Sequence, residues 1–182
     1  AYGCLVPKLV TGNFDPETQK AVWPSTGNYC RGGAYDCAVR ACPAVAILPE
    51  GLSRERFEWL EKVGPDEIIA TPGTESNVKE IYDKCWELLH ERGDGIVIFN
   101  QFAEFGNAIW HYQVTGSVIE EIYREHFSKG RSLSAYVSAT GSAGTIAAGD
   151  YLRTQHTGVR VVATEALQCP TFLQFGFGEH RI

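Results

Sequence analysis

Short apolar runs alternate along the chain with segments whose apolar residues recur at helical spacing. The continuous runs are typical of buried β-strands, and they cover residues 20–23, 44–48, 68–70, 96–99, 133–137 and 159–164. Helices are predicted at 1–6, after Tyr29, over 53–63, from Ser76 to Gly93, over 118–127 following a turn at Thr115-Gly116, and from the end of the small-residue loop to His156. Repeated β–α–β units with such strands imply an α/β fold, in which helices cover both faces of parallel sheets.

Ligands of parallel α/β folds bind at the carboxyl ends of strands, which singles out three loops. They are residues 24–29, 100–107 and 140–145. The third lies in the small-residue run SATGSAGTIAAG at 138–149. Small side chains let several main-chain N–H groups approach one anion, and the N-terminus of the next helix adds its positive dipole end. We therefore predict a phosphate cup at residues 141–145, although a tight strand-to-helix turn without a ligand fits the same pattern.

More specific phosphate motifs do not fit this run. A nucleotide P-loop requires Gly-Lys-Ser/Thr, and no lysine follows Gly144. The dinucleotide fingerprint requires glycine where Ala143 and Ile146 stand. A serine-hydrolase elbow around Ser142 would require glycine in place of Thr140. What remains is a cup for a mononucleotide or for the phosphate of a cofactor.

The other two loops carry neutral hydrogen-bond donors. Residues 24–29, called here the asparagine loop, contain the hydroxyls of Ser25 and Thr26, a flexible Gly27 and the amide of Asn28. These groups suit a carboxylate or phenolate oxygen, and a hydroxyl turn that caps the next helix is the alternative. Gln101 would project from the end of its strand toward an anionic substrate, or simply end that strand. Three such loops fit an anionic cofactor and an anionic amino acid, and they do not fit unaided hydrolysis.

Composition excludes several partners. The net charge is −6 without a basic run, which argues against nucleic acid and anionic membranes. No apolar stretch approaches the roughly 20 residues that span a bilayer. Six cysteines without a Cys-x-x-Cys pair, and dispersed histidines, argue against a metal site and predict buried free thiols in the cytoplasm. His111, beside Tyr112, is assigned to structure rather than to acid–base chemistry.

Four segments stand in the order and rough spacing found in cysteine synthase and cystathionine β-synthase, which are fold-type II pyridoxal-phosphate enzymes. They are Pro-Ser-Thr-Gly-Asn at 24–28, Asn-Gln-Phe at 100–102, His-Tyr-x-x-Thr-Gly at 111–116 and Gly-Ser-Ala-Gly-Thr at 141–145. The chain resembles that family over essentially its whole length. The resemblance implies a two-lobed, tryptophan synthase β-like architecture. Residues 1–105 would be the smaller mobile lobe, and residues 106–182 would be part of the larger, cofactor-binding lobe.

The resemblance also implies roles for individual residues. The phosphate of pyridoxal 5′-phosphate would be held by the main-chain N–H groups of the phosphate cup and by the Thr145 hydroxyl; the cup consists of Gly141, Ser142, Ala143, Gly144 and Thr145. Asn28 would bind the pyridine 3′-oxygen. The substrate α-carboxylate would be surrounded by Ser25, Thr26, Gly27, Tyr29 and Gln101. Tyr29 is bulkier than the threonine usual in the family, and Ser142-Ala143 replaces the commoner Thr-Gly.

The activity implied by the resemblance is β-replacement on an amino acid such as O-acetylserine or serine, through an aminoacrylate intermediate, in a homodimer. β-Elimination without replacement is the alternative within the family. The family's Schiff-base lysine lies in a Ser-x-Lys segment that would precede Ala1 in this register, so we expect the chain to be internal to a longer protein and to contain no catalytic lysine. A catalytically silent subunit and a plain phosphate or nucleotide binder are the remaining alternatives.

Overall fold

The structure is a computed structural model and describes residues 1–168 and residue 170. Strands and helices alternate in the first of two compact units, Ala1–Glu104. Its strands are β1 (Lys20–Pro24), β2 (Ala44–Pro49), β3 (Glu67–Thr71) and β4 (Ile96–Ile98). Its helices are α1 (Tyr2–Thr11), α2 (Asn28–Val39), α3 (Arg54–Val63) and α4 (Val78–Arg92). The strands pair in parallel in the order β3-β2-β1-β4.

Helices cover both faces of this sheet. Trp23 of β1 packs in a cluster with buried residues of α1, α2 and α3, such as Leu5 and Leu60. The neighbouring Val22 belongs to a second cluster, which contains Ile81 of α4. Successive side chains of a strand point to opposite faces, and burial on both faces explains why the strands are continuously apolar. The predicted α/β fold with helices on both faces of a parallel sheet is confirmed.

The second unit begins at Phe105. Its first segment is helical throughout: α5 (Phe105–Trp110), a π-helical turn (His111–Thr115), α6 (Gly116–Ile122) and a second π-helical turn (Tyr123–Phe127). Strands β5 (Ala135–Ala139) and β6 (Arg160–Thr164) pair in parallel. Helix α7 (Ala147–Gln155) lies between these strands in the chain, directly after the phosphate cup.

Three local predictions for this unit were wrong. Thr115 and Gly116, which were predicted to form a turn, lie in a continuous helical segment. Gly116 has a φ of −61° and a ψ of −46°, which are helical values. Its missing side chain serves helix packing instead, since a Cβ there would lie 2.6 Å from Tyr151. The loop predicted over 100–107 ends early because α5 begins at Phe105. Strand β5 lies two residues later than predicted because Ser138, although polar, is buried within it.

The part of the chain that the structure describes contains neither a membrane-spanning helix nor a metal-binding cluster. No helix there combines the length and the apolar character that crossing a membrane requires. In the same residues, no three side chains of the His, Cys, Asp and Glu types are grouped so that they could hold a metal ion.

Glu67, the first residue of β3, carries an ion-pair network that gives the fold a pH dependence. Arg92 donates two hydrogen bonds to its carboxylate, both 2.8 Å long, and Lys20 donates a third at 3.1 Å. These hydrogen bonds lower the pKa of Glu67 to about 2, and the bonds from Arg92 make the largest contribution. A carboxyl group whose pKa is lower in the folded state stabilises the fold above its unfolded pKa, and it loses this contribution as the pH falls toward the folded pKa.

We predict that Glu67→Gln lowers the free energy of unfolding at pH 7 by about 1 kcal/mol, a value discounted for solvent screening. The difference from the unsubstituted protein should shrink as the pH falls from about 5 toward 2, because the protonated carboxyl loses the same interactions. Urea-unfolding curves across this pH range measure both effects. The exposed pair Arg54–Glu58 is the control, and Glu58→Gln should change the free energy by less than about 0.5 kcal/mol. A Glu67→Gln deficit that stayed constant with pH would contradict the prediction.

Candidate functional site

The main-chain donors of the phosphate cup have no acceptors among the residues that the structure describes. Just before it, the Thr140 N–H donates to the Thr164 carbonyl at 2.9 Å, and just after it, the Ala147 N–H donates to the Gly144 carbonyl at 3.1 Å. Between these bonds, the N–H groups of residues 141–145 donate to no acceptor among the described residues. Runs of main-chain donors without partners are rare in folded proteins unless solvent or a ligand takes them. The loop therefore fits an anion such as the phosphate of a cofactor.

Side chains of β5 hold the end of the phosphate cup. The Thr145 and Ser138 hydroxyl oxygens lie 2.9 Å apart, and Ser138 is buried. The Tyr136 hydroxyl donates to the Thr145 carbonyl, also at 2.9 Å. Residue 145 is thus fixed through both its side chain and its main chain before α7 begins.

The middle of the cup has a strained backbone. Ala143 has a φ of 61°, in the left-handed region that a residue with a Cβ rarely adopts. The cost of this conformation for an L-residue is about 1–2 kcal/mol, whereas glycine adopts it freely.

We therefore predict that Ala143→Gly raises the free energy of unfolding by about 0.5–1 kcal/mol, since the relief of strain exceeds the entropy cost of glycine. Thermal unfolding of the Ala143→Gly variant and of the unsubstituted protein, both without cofactor, measures this difference in stability. As a control, Ala148→Gly in α7 should destabilise, because it adds backbone freedom inside a helix and removes a buried methyl group. Destabilisation of similar size at both positions would contradict the assignment of strain to residue 143.

The asparagine loop connects β1 to α2 at the carboxyl edge of the first sheet. Ser25 is buried, and its N–H donates to the Ile47 carbonyl of β2 at 3.1 Å. Its hydroxyl oxygen accepts the Gly27 N–H at 3.1 Å, which is the local turn that the sequence allowed. Because the oxygen is the acceptor in this bond, the Ser25 O–H can still donate to a ligand. Asn28 is exposed at the first turn of α2.

A cleft of about 500 Å³ lies beside this loop, within the first unit. It is lined by residues 26–28, residues 51–53, Arg56 and Glu75. An Arg56 guanidinium nitrogen donates to the Thr26 carbonyl at 3.3 Å, which links α3 to the asparagine loop. Our sequence reasoning missed Arg56 because it considered only loops that follow strands. Its place in the first turn of the helix after β2 is the signal that could have identified it.

Gln101 lies at the same edge of the sheet as the asparagine loop, because β1 and β4 are neighbours. The Phe99 N–H continues their pairing by donating to the Val22 carbonyl at 2.9 Å. Asn100 then ends the strand region, and its side-chain oxygen accepts the Tyr82 hydroxyl and the Phe102 N–H, each at 2.9 Å. The half-buried Gln101 follows in this fixed turn.

The Tyr29 side chain lies in the core of the first unit. Its ring packs edge-on against Trp23, with centroids 5.4 Å apart. Burial raises the pKa of the Tyr29 hydroxyl well above its usual range, and the neighbouring Cys4 thiol adds to this effect. Tyr29 does not line the cleft beside Thr26, so its predicted contact with the substrate stays a prediction.

His111 is held within its own helical segment. Its Nδ1 lies 2.9 Å from the Thr115 hydroxyl, one turn along. Burial lowers the pKa of His111, so the ring is neutral at pH 7. Tyr112 packs edge-on against Tyr151 of α7 at 5.5 Å. These contacts are structural in character, as the sequence suggested for this pair.

The chain is similar in sequence to known proteins. A family model described as pyridoxal-phosphate dependent enzyme matches residues 5–180. A cysteine synthase of Staphylococcus aureus is 29% identical over 162 residues, which make up 88% of this chain and 49% of that protein. A cystathionine beta-synthase of Saccharomyces cerevisiae is 28% identical over 157 residues, or 85% of this chain and 31% of that protein.

The same fold occurs in solved structures. A hydrogen sulfide-producing enzyme from Fusobacterium nucleatum superposes with a TM-score of 0.79 at 22% identity, over 93% of this chain and 54% of that one. The chain therefore spans about half, or less, of the length of these relatives. Because the family model covers nearly all of its residues, the chain belongs to the family of pyridoxal-phosphate-dependent enzymes.

Proposed function

We propose that the protein containing this chain is a pyridoxal-phosphate-dependent enzyme that replaces the β-substituent of an amino acid such as O-acetylserine or serine. The observation that carries the proposal is the run of donors in residues 141–145 that have no acceptor among the described residues. Relatives named cysteine synthase and cystathionine beta-synthase support β-replacement as the reaction.

The phosphate cup is proposed to hold the cofactor phosphate. Its N–H groups replace the hydrogen bonds that the phosphate makes to water, and the N-terminus of α7 adds a favourable dipole. The Thr145 hydroxyl, whose oxygen lies 2.9 Å from the Ser138 hydroxyl oxygen, is proposed as a further contact to the phosphate. Bound in this way, pyridoxal phosphate supplies an electron sink for charge at the substrate α-carbon, while the protein supplies orientation.

The asparagine loop is proposed to bind the substrate. Neutral donors from Ser25, Thr26 and Gln101 hold the α-carboxylate, together with the main chain at Gly27. The Ser25 O–H is suited to this because its oxygen already accepts the Gly27 N–H. Asn28 donates to the 3′-oxygen of the cofactor ring. Tyr29 borders this loop on the side of the core, where its ring packs against Trp23.

We also propose that the enzyme works in the cytoplasm, as a homodimer. Five free and buried cysteines support a reducing compartment: Cys4, Cys30, Cys37, Cys42 and Cys85. The sixth, Cys169, lies outside the described residues. The homodimer rests on the family resemblance, and sedimentation of the purified protein tests it.

The reaction is tested by supplying O-acetylserine and pyridoxal phosphate to the full-length protein, with and without sulfide. We expect cysteine to form only when sulfide is present, with acetate released in equal amount. Pyruvate and ammonia formed at the same rate in both conditions would show β-elimination and contradict the proposal. A protein that bound the cofactor and converted neither O-acetylserine nor serine in either condition would contradict it too, in favour of a silent subunit.

A further inference from the structure

Asn107, the third residue of α5, contacts the phosphate cup at two points. Its Nδ2 donates to the Ser142 hydroxyl oxygen at 2.8 Å. Its side chain also fills the space in front of Gly144, since a Cβ built on that glycine would lie 2.2 Å from the Asn107 Oδ1 and 2.6 Å from its Cγ. Asn107 therefore touches the residues on both sides of Ala143.

The residue between these two contacts has the unfavourable backbone. Ala143 has a φ of 61°, which a residue with a Cβ adopts only where its surroundings impose it. A hydrogen bond at residue 142 and close packing at residue 144 are such surroundings. Thr145 is fixed separately, by Ser138 and Tyr136.

The bond from Asn107 also determines what the Ser142 hydroxyl can do. A serine hydroxyl has one hydrogen to donate and oxygen lone pairs that accept. Because the oxygen accepts from Asn107, the hydrogen remains available to a ligand. The contact with Asn107 thus fixes the position of the Ser142 oxygen and leaves its hydrogen free to donate to a ligand.

We infer that Asn107 is a positioning residue that holds residues 142–144 in the conformation in which their N–H groups have no acceptor among the described residues. We infer further that residue 144 must be glycine because of Asn107, and not because the cofactor needs that space. The role of the cup in holding phosphate rests on the proposed function. The requirement for glycine at residue 144, which Asn107 imposes, does not rest on the proposed function.

A double-mutant cycle in the full-length protein without cofactor tests whether Asn107 is the reason that residue 144 must be glycine. Gly144→Ala alone should lower the thermal midpoint by several degrees, because its methyl group overlaps the Asn107 side chain. In the Asn107→Ala background the same change should cost less than half as much. Gly141→Ala is the matched control, since no atom of the described residues lies within 4 Å of its added methyl, and it should have the same small effect in both backgrounds. An equal cost of Gly144→Ala in both backgrounds would overturn the inference.

Binding measurements test the positioning role. Asn107→Ala should weaken binding of pyridoxal phosphate about tenfold and leave binding of pyridoxal, which lacks the phosphate, within about twofold. Equal losses for both compounds would indicate general destabilisation and would overturn the positioning role. If the unsubstituted protein bound neither compound, the proposed function would fail, while the double-mutant cycle would still decide whether Asn107 sets the requirement for glycine.

Discussion

Gly144→Leu is expected to reduce retention of pyridoxal phosphate by about a hundredfold or more, the factor that ~2.7 kcal/mol of lost binding gives. Gly144 is buried, and even a single added carbon would lie 2.2 Å from Asn107. We expect a leucine side chain, which is much larger than this single carbon, to displace the loop and with it the N–H groups proposed to bind the phosphate. The measurement is the cofactor content of the purified full-length protein after dialysis, determined from cofactor absorbance.

The matched control places leucine at another glycine. Gly95, in the short 3₁₀ turn Gly93–Gly95, has nothing within 4 Å of its added Cβ. Gly95→Leu should therefore retain cofactor as the unsubstituted protein does. If Gly144→Leu also retained a full complement of cofactor, the prediction would be wrong: either the Asn107 side chain would have moved aside for leucine, or residues 141–145 would not be the phosphate site.

Gly33→Ala is expected to lower the free energy of unfolding by about 3 kcal/mol or more. Gly33 lies on the buried side of α2, and a Cβ there would come within 2.0 Å of the Trp23 ring. That ring is fully buried and stacks on Phe99 with centroids 4.4 Å apart, so it has no space to move into.

Gly32, the preceding residue of the same helix, separates packing from helix propensity. A Cβ at Gly32 would meet only the Ala1 methyl at 3.4 Å, an ordinary contact. Gly32→Ala should therefore raise the stability, by up to about 1 kcal/mol, because alanine is the better helix former. Urea unfolding of the two variants should thus give shifts of opposite sign. A destabilisation by Gly33→Ala no larger than about 0.5 kcal/mol would show that α2 and Trp23 are not packed as described.

The sheet of the first unit could be predicted from the sequence because its strands are buried on both faces. A run such as 44–48 is then continuously apolar, which is a strong local signal. Bounding residues such as Gly64 and Gly93 end the predicted helices in the structure as well. The small-residue run likewise predicted a loop between a strand and a helix, and the structure has this loop between β5 and α7.

Other features depend on contacts between distant residues, which local patterns do not reveal. Gly116 has the composition of a turn, yet it lies within a helix because Tyr151 packs against it. Gly33 is one of two adjacent glycines in the sequence, and only the position of Trp23 distinguishes them. Asn107 was assigned to a loop without a role, because its partners Ser142 and Gly144 follow more than 30 residues later. The sequence shows where small residues occur, whereas only the folded structure shows which neighbouring side chain packs against each of them.

Amide hydrogen exchange of the full-length protein tests most directly whether the main chain of residues 141–145 holds the cofactor phosphate. The N–H groups of these residues should exchange quickly without ligand and become protected when pyridoxal phosphate is added. Inorganic phosphate should protect them in part, and pyridoxal should not. If pyridoxal phosphate bound while exchange at residues 141–145 stayed unchanged, the phosphate would be held elsewhere and the account would be wrong.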